Sequence, residues 1–272
     1  MHYRTVVILL YVGFALLEHA LGRFRQPEKG KLRDNLIELV SGLGLPFLLV
    51  PAVFTLVPTL MDAVVPSAAG SLESWPWWVM FGVLLLADDL TQYLWHRASH
   101  TWPWLFRLHR AHHSAAYISV RVTYRNNILY YAMMPGLWLS AGLVHAGFAP
   151  VYYWYAVLKM FVVLGAHSNV PWDAFFIRRR YLWPLLWVLE RVISTPATHA
   201  AHHGRHAVDP ATYYKGNYGN FLFLWDVLFG TAKITRRRPV AYGLENIQPV
   251  TWLEELLWPF VDLSRSRSKR SG

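Results

Sequence analysis

The sequence predicts an all-α, polytopic membrane protein with a histidine-rich cap on its cytoplasmic side, on three observations. Hydrophobic residues make up 54% of the 272-residue chain and charged residues only 15%, against about 25% charged in an ordinary soluble domain. Several apolar stretches approach the roughly 20 residues a helix needs to cross a bilayer. Lys and Arg fall in blocks that alternate with those stretches, as the positive-inside rule requires of a multi-pass protein.

The first stretch, Thr5 to Leu21, lacks a small-residue cleavage pattern and runs into a basic loop, so it reads as an anchor rather than a signal peptide. The second, Leu36 to Met61, contains Pro46, Pro51 and Pro58, which predict kinks or a partly re-entrant segment. The third, Trp77 to Trp95, leads directly into His96. The fourth (Ile128 to Gly147) and fifth (Val151 to Gly165) are joined by Phe148, Ala149 and Pro150, as in a helical hairpin.

Arg23, Arg25, Lys29, Lys31 and Arg33 crowd the loop after the first stretch, and no Lys or Arg follows until Arg97. Arg97, Arg107, Arg110, Arg121 and Arg125 come after the third stretch. The turn between the fourth and fifth carries no Lys, Arg, Asp or Glu, and basic residues return at Arg178, Arg179 and Arg180. This alternation places the N-terminus outside and the C-terminus in the cytoplasm, as expected for an integral protein of a bacterial inner membrane. The net charge of +10 therefore marks cytoplasmic faces rather than a nucleic-acid surface, for which the chain is too apolar. The absence of cysteine excludes disulfides, thiolate ligands and a cysteine nucleophile.

Residues 1–263 read as a single membrane-embedded domain with a histidine-rich core at about 80–231, and the basic, low-complexity residues 264–272 as a disordered tail. Tyr181 to Ile193, where Trp183, Leu185 and Trp187 sit beside Glu190 and Arg191, reads as an interfacial helix.

Three histidine clusters carry the chemistry: His96 and His100; His109, His112 and His113; His199, His202 and His203. Residues three and four apart share a helix face, so each cluster aims its imidazoles at one point. Neutral imidazole suits iron, zinc, copper or nickel, and eight such rings point to a metal centre. Pro103 should separate the first cluster from the second, and Thr195-Pro196 should start the helix of the third. A metal-binding histidine needs its second ring nitrogen held by a carboxylate or carbonyl; Asp89 and Asp226, surrounded by apolar residues, are the candidate carboxylates. His2, His19 and His145 stand alone and read as ordinary packed or interfacial residues.

HRASH, HRAHH, the later HSN, TPATHAAHH and NYGNFLFLWDVLFGT, in this order from Asp89 to Thr231, resemble the fatty acid hydroxylase/sterol desaturase superfamily. The resemblance implies a membrane-embedded helical protein whose histidines hold two iron ions, a di-iron centre that activates O2. It makes His96, His100, His109, His112, His113, His199, His202 and His203 similar to the family's metal ligands and adds His167. His206 occupies a position that is often not histidine and is left out. Asp89 and Tyr93 match the approach to the first box; Asn217 and Asp226 match the NYG and WD positions. Arg121 stands where some sterol desaturases carry further histidines, which favours the bacterial hydroxylase and alkylglycerol monooxygenase-like branch.

The implied activity is hydroxylation of a lipid (fatty acyl, sterol-like or ether lipid) with O2, desaturation on the same site being the alternative. Electrons require a separate donor protein, since the chain has no flavin, haem or ferredoxin motif. Two rival classes are a membrane zinc hydrolase, for which so many histidines are an excess, and a non-catalytic metal-binding or transport protein. Transport predicts ionisable residues along a path, yet Lys159 is the only basic residue deep in a span.

Overall fold

Wherever an apolar run lies between Gly and Pro punctuation, the chain is helical. The structure, a computed structural model, describes residues 3–28, 30–246, 248 and 250–262. The basic tail, His2 and Lys29 lie outside the described residues. Among the described residues no strand forms beyond two isolated bridges, Ile193–Leu222 and Gly204–Tyr242.

α1 (Tyr3–Ala20) covers the first expected span. The second is α2 (Lys31–Gly44) and α3 (Val50–Val64), joined by a π-helical turn at Leu45–Leu49. Pro46 and Pro51 lack an N–H, and the wider turn accommodates the lost rungs. The helix is therefore neither broken nor re-entrant: it continues over Lys31–Val64, 34 residues or about 51 Å at 1.5 Å per residue.

α4 (Trp77–Leu84) runs through a second π-turn, Leu85–Leu90, into α5 (Thr91–Thr101), which brings His96 and His100 onto the same helical run as the third span. Trp102 is extended ahead of Pro103, as the proline ring demands of its predecessor, and Pro103 opens α6 (Pro103–His113).

α7 (Ile128–Ala132) and α8 (Pro135–Leu143) make up most of the fourth span, and α9 (Ala149–His167) is the fifth. The break between α8 and α9 falls at Gly147, where φ is 122°. A Cβ there would stand 2.7 Å from the Glu73 backbone nitrogen. Consequently α8 packs on α3, whereas α9 packs on α1 and on the later helix that carries the third cluster.

Then come α10 (Ala174–Ile177), α11 (Trp183–Val192), α12 (Pro196–His202), α13 (Leu224–Leu228) and α14 (Trp252–Leu257). α11 buries Leu186 and Glu190 and exposes Trp183, Leu185, Trp187 and Val188, the two-faced pattern expected of it.

Lys31–Val64 and Pro135–His167 are long and apolar enough to cross a membrane, and only 17% of the apolar window in the former is buried within the protein. A soluble core helix would be largely covered; here Leu39, Leu43, Phe47, Leu48, Leu56 and Leu60 face outward.

Buried charges tie the segments that follow the histidines to these helices. Arg125 is fully buried and donates to Asp34 (3.1 Å), Ser114 Oγ (3.0 Å) and the Ala111 carbonyl (3.1 Å). Arg121 pairs with Glu38. Neither arginine is a free surface charge of the positive-inside kind. The Glu18 carboxylate accepts from Ser119 Oγ, Val120 N, Ser168 Oγ and Asn169 N, tying the end of α1 to both loops that flank the histidines.

Candidate metal centre

Four helix C-termini converge on one spot. α5 brings His96 and His100, α6 ends in His109, His112 and His113, α9 ends at His167, and α12 supplies His199 and His202 with His203 next in sequence. α12 starts where Thr195 and Thr198 cap each other's backbone N–H groups. The negative ends of helix dipoles favour a cation.

All nine histidines named from the sequence are gathered here, in two groups. His96, His100, His109, His113 and His202 form one; His112, His167, His199 and His203 form the other. Within each group the candidate ligand nitrogens lie within 4.8 Å of one another. The second and third motifs are each divided between the groups, while His96 and His100 both join the five-histidine group. In α6, His109 and His113 face the five-histidine group and His112 the other; around α12, His199 and His203 face the four-histidine group and His202 the other.

Tautomers follow from the partners. His96 Nδ1 lies 2.7 Å from the Tyr218 carbonyl, His202 Nδ1 2.7 Å from that of Gly216, His112 Nδ1 3.1 Å from that of Val122 and His167 Nδ1 2.8 Å from that of Val163. His109 Nδ1 faces Asn126 Oδ1 at 2.7 Å, the amide being oriented because Asn126 Nδ2 donates to Tyr131. A carbonyl accepts only, so these rings carry their proton on Nδ1 and leave Nε2 as a bare lone pair.

Bare lone pairs nevertheless face each other: His96 and His202 Nε2 are 3.0 Å apart, and His112 and His167 Nε2 3.5 Å. Such pairs repel unless a cation lies between them. Ligands about 2.1 Å from one cation and at right angles stand about 3 Å apart. The donor set fits a metal in each group. Burial lowers the basicity of His100, His109, His112, His113, His199, His202 and His203 well below the ordinary histidine value, with neighbouring histidines adding to it. The rings are thereby kept in the neutral form that binds metal.

The remaining sequence candidates act at one remove, and neither candidate carboxylate holds a histidine ring. Asp226 accepts from Tyr218 N (2.9 Å), Gly219 N (2.6 Å) and Thr231 Oγ1 (2.6 Å). It thus fixes the segment whose carbonyls hold His96 and His202. Burial nonetheless pushes its carboxyl up to about 6. Gly219 has no room for a Cβ, which would meet the Leu222 carbonyl at 2.5 Å.

Tyr93 hydrogen-bonds Thr231 Oγ1 (2.9 Å), extending the same chain. Asn217 donates to the Thr198 and Lys233 carbonyls (2.9 Å each), clamping α12 in place. Asp89 accepts from Leu222 N (3.2 Å) and Trp225 Nε1 (2.8 Å). Arg121 lies over Phe24 and reaches Asn35 and Glu38.

Sequence reasoning missed Asn126; its only signal was its place in the Asn126-Asn127 pair after the second cluster. The backbone acceptors carry no side-chain signal. His206 pairs with Glu245 (2.9 Å) away from both groups, and His145 faces Asp62 (3.1 Å).

A cavity of about 870 Å³ opens onto the centre, with His109 and His112 in its wall, one from each group. Leu39, Leu43, Phe47 and Val50 line it on the α2 side and Val7, Ile8 and Tyr11 on α1.

The fatty acid hydroxylase family model matches residues 81–231. The chain belongs to the fatty acid hydroxylase family. The segment shared with that family holds all nine histidines together with Asp89, Tyr93, Arg121, Asn217 and Asp226, whereas the cavity walls from α1, α2 and α3 lie outside it.

Among curated proteins the chain is similar to the alkylglycerol monooxygenase of Xenopus tropicalis, 28% identical over 176 residues, 63% of this chain and 33% of that protein. The Caenorhabditis elegans alkylglycerol monooxygenase is 30% identical over 62% of this chain and 30% of its own length. The ornithine lipid hydroxylase OlsE of Rhizobium tropici is 28% identical over 61% of this chain and 46% of its own. The chain thus spans about a third of the alkylglycerol monooxygenases it matches. No solved structure matches this fatty acid hydroxylase family member.

Proposed function

We propose that the chain is a membrane-embedded di-iron oxygenase that hydroxylates a lipid, with one iron in each histidine group. The observation that carries this reading is the pair of Nε2–Nε2 contacts between rings whose Nδ1 protons are already committed to oxygen acceptors. The family match and the lipid-oxidising relatives support it. Five and four ligands exceed what a zinc hydrolase uses, which normally keeps three ligands and an open position. In this reading α1, the α2–α3 run, the α4–α5 run, α8 and α9 lie in the bilayer, with the histidines and the C-terminus on the cytoplasmic side.

Bound iron supplies the redox chemistry that no side-chain acid or base can perform on an unactivated C–H bond. One atom of O2 enters the substrate and the other leaves as water, with two electrons and two protons drawn from a separate donor protein. The chain's own residues do the rest. Carbonyls and Asn126 fix the histidine tautomers, while Asp226, Thr231 and Asn217 hold the loop that presents two of those carbonyls. The apolar cavity admits a lipid from between α1 and α2 and excludes water from the reacting carbon. Desaturation would use the same centre with a second hydrogen removed instead of oxygen added.

Metal analysis of the purified chain tests the proposal. The expected result is about two irons per chain, with His112→Ala lowering iron to about one per chain and abolishing turnover. One zinc per chain, or full activity in His112→Ala, would overturn it. Lipid extracts from cells with and without the protein should differ by a gain of one oxygen; a loss of two hydrogens would identify the desaturase instead.

A further inference from the structure

The cavity that touches His109 and His112 also contains a buried ion pair. Lys159 Nζ lies 2.6 Å from Asp88 Oδ2, and both residues line the cavity wall. Asp88 precedes His96 by eight residues on the α4–α5 run, and Lys159 precedes His167 by eight residues on α9. Each helix therefore sets the pair about 12 Å from the histidines.

Three further polar atoms of this cavity are buried and have no hydrogen-bond partner, Gln92 Oε1, Ser140 Oγ and Asn220 Oδ1, and the buried Tyr155 hydroxyl interacts only with Asp88. Tyr155 and Ser140 are 0% and 1% exposed. The wall around them is apolar, including Leu137, Ala156, Met160 and Val163. Unpartnered buried polar groups are costly, and several in one chamber call for a ligand or water.

The chemistry of the chamber restricts what fits. Lys159 and Asp88 cancel in charge, which favours neither an anion nor a cation. Donors remain on Lys159, Tyr155 and Ser140, and acceptors on Asp88, Gln92 and Asn220. A neutral hydroxyl, which both donates and accepts, satisfies this set. A plain alkyl chain would leave Gln92, Ser140 and Asn220 unpaired.

We propose that Lys159, Asp88, Tyr155 and Ser140 form a hydroxyl-binding subsite, so that the substrate is a lipid alcohol whose hydroxyl lies about 12 Å from the oxidised carbon. This rests on the reading of the histidines as an oxygenase centre. The subsite would act as a ruler, selecting which carbon meets the metal by holding the far end of the molecule.

Calorimetric titration of the detergent-purified full chain with 1-decanol, decane and decanoate tests it. The alcohol should bind about tenfold tighter than the alkane, the worth of a hydrogen bond to a charged group, and tighter than the carboxylate. Combining Asp88→Asn with Lys159→Met removes both charges together and should abolish that preference while decane affinity is retained.

Ser140→Ala removes a hydroxyl with no partner within the protein and Tyr155→Phe one that meets only Asp88, which keeps its bond to Lys159, so both should fold, and each should reduce the preference about two- to fivefold. Equal affinity for decanol and decane in the unaltered chain would overturn the subsite and leave water as its occupant. So would an undiminished preference in Tyr155→Phe and Ser140→Ala. Iron measured on the same preparations separates the two ideas. Two irons without an alcohol preference sinks the subsite alone, and an alcohol preference without iron sinks the oxygenase alone.

Discussion

The two histidine groups share α6 and α12 but differ in their third helix, α5 serving the five-histidine group and α9 the four-histidine group. The five-histidine group has three rings tethered through Nδ1: His96 and His202 to carbonyls of the 216–218 segment, and His109 to Asn126. The four-histidine group has two, His112 and His167, and the Nδ1 of His199 is buried without a partner. Each group leaves two rings untethered at Nδ1, so the difference between them is the number of ligands, and four would leave more of a metal's coordination sphere open than five. The cavity reaches both groups; in the proposed di-iron reading the four-histidine side would offer the exchangeable position and the five-histidine side the anchoring role. An active site needs both: one metal held hard, the other with room for a reactant.

The largest expected effect comes from removing a ligand on the poorer side. His167→Ala leaves three histidines there and should lower iron from two to about one per chain with turnover lost. His100→Ala leaves four on the richer side and should retain most of both irons. Equal losses of iron in the two variants would break the asymmetry.

Acidification should come next. The seven histidines whose basicity burial depresses stay neutral in the fold, while the unfolded chain takes up protons below about pH 6.5. The unfolded state then binds more protons, so stability falls as pH drops through that value. Thermal unfolding of metal-stripped protein at pH 7.5 and pH 5.5 measures this; an unchanged midpoint contradicts it.

A smaller, one-sided effect follows from Asn126→Ala, which strips the acceptor from His109. Iron affinity on the five-histidine side should fall about 10- to 100-fold, as for other groups that orient metal ligands. The other iron should remain, which chelator competition on the variant would reveal. Asp226→Asn should act on the same side through the loop that holds His96 and His202, with a destabilisation of about 1–3 kcal/mol readable in chemical denaturation. The smallest change is expected from Asp89→Asn, which keeps an oxygen for Leu222 and Trp225; its metal content should stay at the unaltered level.

Much of this was legible beforehand. Pro103 separated α5 from α6 and Thr195-Pro196 opened α12, because proline's ring and a capping threonine act locally. Helical spacing located the eight clustered histidines because it is a property of the helix itself, while His167 came only from the family resemblance. Pro46 and Pro51 fall at a π-turn through which the helical run continues, so the re-entrant alternative did not hold; whether a proline interrupts a helix depends on what the helix packs against. The carboxylates were expected at the rings because an acidic residue is visible in a sequence, whereas a backbone carbonyl is not. For Arg121 and Arg125 the sequence left ordinary positive-inside charge and a role beside the histidines equally open; the structure pairs them with Glu38 and Asp34 from α2.

By itself, the sequence determined the helical class, the outward apolar surface, the nine histidines and the family to which they belong. Each of these rests on composition or on contacts a few residues apart. Only the tertiary structure decided that the nine divide into five and four, that carbonyls rather than carboxylates set the tautomers, and that Lys159 meets Asp88 inside the cavity. Those are meetings between side chains far apart in the chain. No local rule specifies them, because they arise from the packing of whole helices.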